Sequence, residues 1–216
     1  MQQAILEARE LRWRTKQALA RRFRACVLSL CLNIPGPDKN PPGAEQAFAR
    51  LQAALRKAHA WELWHLRPVR ARSIPFSRRG PAVAKHRGVT LAGLSQNPGA
   101  VLKKLRNGCY AAVLHEAGGK SADGPCLLMV SPLPALRLKR MAVRLENEHP
   151  LGRLADIDVL TGAGTPVSRA DLALPPRGCF LCGEAAALCR RRKRHSQRML
   201  MGFVSSFLEK AGHMKL

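Results

Sequence analysis

The sequence predicts an α+β fold, a small mixed or antiparallel sheet flanked by helices. Short apolar runs bounded by turn residues, such as Cys26–Leu32 and Cys126–Val130, have the length and composition of strands. Longer segments between and after them carry apolar residues every three to four positions, as amphipathic helices do. Hydrophobic residues make up 46% of the 216, the usual share for a chain that folds around one core.

Taken in order, residues 4–23 read as a basic amphipathic helix with Ile5, Leu6, Trp13, Leu19 and Phe23 roughly on one side. Cys26–Leu32 follows as a buried strand and is stopped by the turn Asn33–Ile34–Pro35–Gly36–Pro37. Ala44–Ala60 is helical, with Ala44, Phe48, Leu51 and Leu55 at helical spacing. No Asp or Glu occurs between Glu62 and Glu116, whereas Arg67, Arg70, Arg78, Lys85 and Lys103 do. The part at about 66–108 reads as a loosely attached basic insertion in a single domain spanning 1–216, with a short helix at Ala100–Leu105. Tyr110–His115 and Cys126–Val130 are strand candidates. Leu133–Glu148 reads as a helix, although the spacing of Leu136, Leu138, Val143 and Leu145 also suits a strand. Asp156–Thr161 is a strand, and after the turn Gly162–Ala163–Gly164 the segment Val167–Leu172 can return antiparallel to it. Ser196 then caps a C-terminal helix with Met199, Leu200, Phe203, Val204, Phe207 and Leu208 as its apolar stripe.

Composition narrows the function classes. No apolar run approaches the ~20 residues a membrane-spanning helix needs, and the charged N-terminus lacks the apolar stretch of a secretory signal. Seven cysteines, an odd number, suit a reducing compartment, so the expected location is the cytoplasm. A net charge of +23 attracts polyanions: nucleic acid, nucleotide phosphates or an acidic protein. Aromatic content of 5% with one tyrosine offers little for base stacking, so nucleic acid is not the expected partner.

Three patterns carry chemistry. In Asp156–Ile157–Asp158, side chains two apart on a strand share a face, so both carboxylates project together. Such a pair suits Mg²⁺ that is also bound to substrate phosphates, with Glu146 as candidate third ligand; the alternative is a solvated strand face. Cys179-x2-Cys182-x6-Cys189-x5-His195 has the donors of a tetrahedral Zn²⁺ site, the third Cys and the His arriving from the following helix. A redox Cys-x-x-Cys or ordinary buried cysteines are the alternatives. Arg153, Arg169 and Arg177 flank the carboxylate strand and, with Lys39 in the Pro35–Lys39 turn, are candidates for binding phosphate oxygens. The run Arg190–Arg194 resembles a nucleic-acid patch or the charged face of a helix leading to His195.

Read together, three segments resemble one family. They are Asn33–Pro37 with Lys39; His149–Pro150–Leu151–Gly152–Arg153–Leu154 running into Asp156–Val159; and Ser168–Arg169 followed by Leu174–Pro175–Pro176–Arg177 and the Cys179–Cys189 cluster. The family is the apo-citrate lyase phosphoribosyl-dephospho-CoA transferases, also called holo-citrate lyase synthases. The resemblance implies a nucleotidyltransferase-like fold and a substrate, 2′-(5″-triphosphoribosyl)-3′-dephospho-CoA. It implies transfer of that prosthetic group to a serine of the citrate lyase acyl carrier protein (the gamma subunit), with formation of a phosphodiester and release of diphosphate. It also implies that Asp156 and Asp158 hold the metal, while Arg153, and Arg169 and Arg177 with it, hold phosphates. The alternatives are the same transfer to another carrier, such as that of malonate decarboxylase, and a basic zinc-containing nucleic-acid-binding protein.

Overall fold

The computed structural model describes residues 2–64, 89–90, 101–104, 110–114 and 121–213. Its elements are α1 (Gln2–Phe23), β1 (Cys26–Leu32), α2 (Ala44–Trp64), β2 (Val89–Thr90), β3 (Val101–Lys104), β4 (Tyr110–Leu114), β5 (Cys126–Ser131), α3 (Ala135–Glu148), β6 (Ala155–Leu160), β7 (Pro166–Val167), α4 (Ala186–Arg191) and α5 (Gln197–His213). The strands form one sheet in the order β2-β3-β4-β5-β1-β6-β7, and every neighbouring pair is antiparallel. The fold is therefore α+β, and the sheet is antiparallel rather than mixed.

β1 pairs with β5 on one edge and β6 on the other, and its apolar residues are buried on both faces by the layers packed above and below the sheet. One face, with Leu28, Leu30, Leu127, Met129, Ile157 and Val159, packs on α2, α3 and α5. On α3 the buried Leu138, Met141, Ala142 and Leu145 fall at helical spacing, and packing of that stripe decides for the helix over the strand. The other face, with Val27, Cys31, Cys126, Leu128 and Leu160, packs on Leu19 and Ala20 of α1, and Lys16 of the same helix reaches it further along. Along α1 itself, Ile5 and Leu19 are buried but Leu6 and Trp13 stay exposed. No helix among the described residues is long and apolar enough to cross a membrane.

Two connections fix the carboxylate strand. α3 ends at His149, whose backbone is extended (ψ 138°) ahead of Pro150. The chain then makes a 3-10 turn, Gly152–Leu154, against the end of the helix. A Cβ at Gly152 would lie 2.6 Å from the Glu146 carbonyl oxygen, so only glycine allows this approach. The Asn33 N–H donates to the Leu154 carbonyl (2.7 Å), which ties the turn after β1 to the entry of β6.

Three sequence expectations are corrected. The return strand stops at Val167, because the Ser168 N–H and hydroxyl both donate to Asp171 (2.7 Å each) and residues 170–172 coil into a 3-10 turn. Val101–Lys104, expected in a short helix, is strand β3, paired with β4; cross-strand pairing outweighs helix propensity there. With β2, it joins the sheet from within the basic stretch at about 66–108, whose other residues lie outside the described ones. Lastly, α4 ends at Arg191, and Lys193 takes a left-handed conformation (φ 49°), so His195 arrives from a loop rather than from the helix.

Candidate active site

Along β6, Ala155, Ile157 and Val159 enter the core, while Asp156 and Asp158 project from the face that α1 partly covers. Asp156 pairs in register with Cys31, and Asp158 with Ser29. The Lys16 ammonium, on α1 and almost fully buried, donates to Asp158 Oδ2 at 2.8 Å and reaches Ser29 Oγ at 3.5 Å. Desolvation pushes the Asp158 carboxyl upward, but Lys16 outweighs it and holds the pKa below the ordinary value. Among the described residues no such ion pair reaches Asp156, which Arg177 and Arg12 favour only from a distance. Desolvation first, and the Asp158 charge second, raise its pKa. Two carboxylates on one face, one of them repelled by the other, form a donor set that a divalent cation would relieve.

The arginines next to this strand in sequence are placed otherwise than expected. Arg177 donates to the carbonyls of Ala155 (2.6 Å), Arg153 (2.8 Å) and Gly152 (3.2 Å). Arg153 donates to the carbonyls of Cys179 (2.7 Å) and Gly178 (3.2 Å) and lies over the Phe180 ring. Arg169 donates to Glu146 Oε2 at 2.6 Å. Glu146, buried on α3, accepts the Ile157 N–H (3.2 Å) with its other oxygen, which also sits 3.9 Å from Arg177. Glu146 and the three arginines thus brace the turn, the strand and the cysteine segment against one another.

The cavity beside Asp156 has a volume of about 840 Å³. Its floor holds Asp156 and Cys31, and one wall is the Asn33–Gly36 turn with Lys39. Gly36 is left-handed (φ 85°), and a side chain there would collide with Gln197 at the start of α5. Arg9, Arg12 and Asp123 form a second wall, and Gly178–Phe180 with Arg190, Lys193 and His195 form a third. The cavity's cations are Arg9, Arg12, Lys39, Arg190 and Lys193; Arg153, Arg169 and Arg177 do not line it. Of the four sequence-predicted phosphate ligands, only Lys39 does. A signal for two of the others was present in the sequence: Arg9, Arg12 and Lys16 fall three and four apart, on the side of α1 that also carries Ile5 and Leu19.

At the same cavity, the donor atoms of Cys179, Cys182, Cys189 and His195 all lie within 4.8 Å of one another. His195 Nε2 is buried and has no hydrogen-bond partner, an arrangement costly for an imidazole nitrogen unless an ion engages it. The Leu181 N–H donates to Cys179 Sγ at 3.5 Å. Burial works against the Cys179 thiolate, but the N–H groups of Leu181 and Cys182 prevail and bring its pKa down to about 7. Burial and the neighbouring sulfurs push Cys189 up to about 12. Crowded thiols that resist ionising together fit a metal site, where a cation removes the repulsion.

Comparison with known proteins is consistent along most of the chain. The profile of the family described as apo-citrate lyase phosphoribosyl-dephospho-CoA transferase matches residues 1–73 and 81–211. A protein of that name from Shigella flexneri serotype 5b is 36% identical over 152 residues, 70% of this chain and 80% of the relative. One from Citrobacter koseri is 35% identical over 155 residues, covering 72% and 82%. One from Escherichia coli is 44% identical over 96 residues, covering 44% and 52%.

Proposed function

Since this chain belongs to the apo-citrate lyase phosphoribosyl-dephospho-CoA transferase family, we propose that it transfers the prosthetic group of 2′-(5″-triphosphoribosyl)-3′-dephospho-CoA to a serine of the citrate lyase acyl carrier protein. The serine oxygen bonds to the phosphorus next to the ribose, the bond from that phosphorus to diphosphate breaks, and the hydroxyl proton is released. The observation that carries the reading is the cavity itself. It joins a carboxylate on β6 to five cations of the described residues and is large enough for a nucleotide-sized ligand.

Asp156 and Asp158 would hold Mg²⁺, which when bound neutralises phosphate charge and aligns the attacking and leaving oxygens. Lys16 keeps Asp158 ionised and in place. Arg153 and Arg177 position the strand and the cysteine segment through backbone carbonyls, Arg169 positions them through Glu146, and Lys39 faces the ligand. Cys179, Cys182, Cys189 and His195 would hold a structural Zn²⁺ that fixes the third wall. The antiparallel sheet with its carboxylate-bearing strand is read as nucleotidyltransferase-like. The whole of 1–216 forms one such domain, with the basic stretch at about 66–108 as an insertion, working in the cytoplasm.

The test is diphosphate release by the purified chain with Mg²⁺, the triphosphoribosyl substrate and apo-carrier. Release should need all three and match the carrier modified mole for mole. Release that proceeds equally without carrier, or none with it, would contradict the assignment.

A further inference from the structure

We infer that Arg9, Arg12 and Lys39, which line the cavity together with Asp156, form a polyphosphate-binding site oriented by the buried Asp123. Asp123 is 6% exposed and sits in the loop before β5. It accepts from Arg9 Nε at 2.9 Å and from Arg12 Nη1 at 2.6 Å, so each of its oxygens is taken by a different guanidinium. Each arginine spends one donor on Asp123 and keeps further N–H groups of its fork. Lys39 lines the same cavity within electrostatic reach of Arg9 and Asp123, its ammonium donating to the Ile34 carbonyl. The loop carrying Asp123 is stitched to this turn, since Asn40 Nδ2 donates to the Ser121 carbonyl at 3.0 Å.

Charge decides what the arrangement is for. Three cations lie about one carboxylate, two of them bonded to it, so the cluster is left with a net charge of +2. A salt bridge that only anchored α1 would need a single arginine, and a third cation beside it is costly. Burial and the Arg9 charge lower the Lys39 pKa, and Asp123, already engaged by two guanidinium groups, offsets this only in part. Guanidinium forks held at fixed orientation match the oxygens of a phosphate chain, and two or three linked phosphates carry the charge that would balance the wall. In the proposed transferase, on which this identification of the ligand's source rests, the chain is the departing diphosphate end of the triphosphate. The Asp156 side then faces the phosphorus that is attacked.

The experiment is titration calorimetry of the full chain with inorganic diphosphate at constant ionic strength. Wild type should saturate. Arg12→Ala and Lys39→Ala should each weaken binding about tenfold or more, the scale of one charge-assisted bond. Arg12→Lys should recover part of the loss. Arg56→Ala, an exposed change of the same charge on α2, should stay within about twofold of wild type. Thermal melts check that each variant is folded; should Arg12→Ala unfold, Lys39→Ala, which loses one side chain-to-carbonyl bond, carries the test alone. Folded variants that bind like wild type, equal losses in Arg56→Ala, or a wild type that does not saturate would overturn the site. Diphosphate binding that needs Arg12 and Lys39, in a chain that transfers nothing to the carrier, would leave the site standing and remove the transferase reading.

Discussion

Replacing Glu146 by Gln separates two roles for that residue, strand brace and metal ligand. The amide oxygen can still accept the Ile157 N–H, but the ion pair with Arg169 (2.6 Å) and the weaker one with Arg177 (3.9 Å) are lost. Glu146 is 5% exposed and Arg169 16%, so water only partly restores the guanidinium's partners. A charge-assisted bond is worth about 1.5–3 kcal/mol, and breaking a fully buried pair costs about 3–5 kcal/mol. With Arg169 partly exposed, the loss should be about 2–3 kcal/mol, a fall of about 4–12 °C in Tm for a domain of this size. Urea and thermal unfolding measure it, and Arg169→Ala should show a similar loss that is not additive with the first. The Mg²⁺ concentration needed for half-maximal transfer should stay within about threefold of wild type. Unchanged stability together with a tenfold higher Mg²⁺ requirement would refute the brace and make Glu146 a ligand.

The remaining predictions concern a histidine, the cysteine cluster and the carboxylate pair. His59, buried on α2 and bonded to Ser131 Oγ at 2.7 Å, has its pKa lowered to about 4 by burial. Between pH 6.5 and 4 the unfolded chain takes up a proton that the folded chain refuses, so stability should fall by up to about 3 kcal/mol on acidification. His59→Gln should flatten that slope in urea titrations; an equal slope would mean other groups cause it. Purified protein should contain about one zinc per chain by elemental analysis. Cys189→Ser or His195→Ala should lower that content and the Tm together, whereas a metal-free chain of full stability would show the cysteines to be packing residues. Asp156→Asn should leave the Tm unchanged or raise it, because the ionised carboxylate is disfavoured in the fold by desolvation and by Asp158. Transfer by the same variant should drop about 100-fold or more, consistent with loss of several kcal/mol of metal-assisted stabilisation; near-normal turnover would take Asp156 out of the chemistry.

Much of the fold was legible because apolar patterning is local. The run Cys26–Leu32 has the length and composition of a buried strand, and Asp156 and Asp158 had to share a face once Ile157 was buried between them. The four donors of the cysteine cluster were legible from spacing, since a turn and a short helix bring them together within seventeen residues of chain, 179–195. Apart from Lys39, the cavity's cations were hard to read, and the reason is long range. Arg12 finds Asp123 across 111 positions, and only its spacing from Arg9 and Lys16 on one side of α1 marks it among 37 Lys and Arg. Arg153 and Arg177 drew notice by standing near the carboxylates. The backbone in that same region presents carbonyls at the turn, the strand entry and the cysteine segment, and the two guanidinium groups donate to those instead. The early end of the return strand at Val167 has a local cause, the Ser168–Asp171 turn, which the apolar pattern of Val167–Leu172 concealed.

The central claim is tested most directly by the mass of the carrier. Apo-carrier of citrate lyase incubated with this chain, Mg²⁺ and triphosphoribosyl-dephospho-CoA should gain the mass of one phosphoribosyl-dephospho-CoA group, mapped by fragmentation to a single serine. Asp156→Asn in parallel should leave the carrier at its apo mass. A carrier unmodified by the folded, metal-loaded wild-type chain, or one modified equally by Asp156→Asn, would contradict the account.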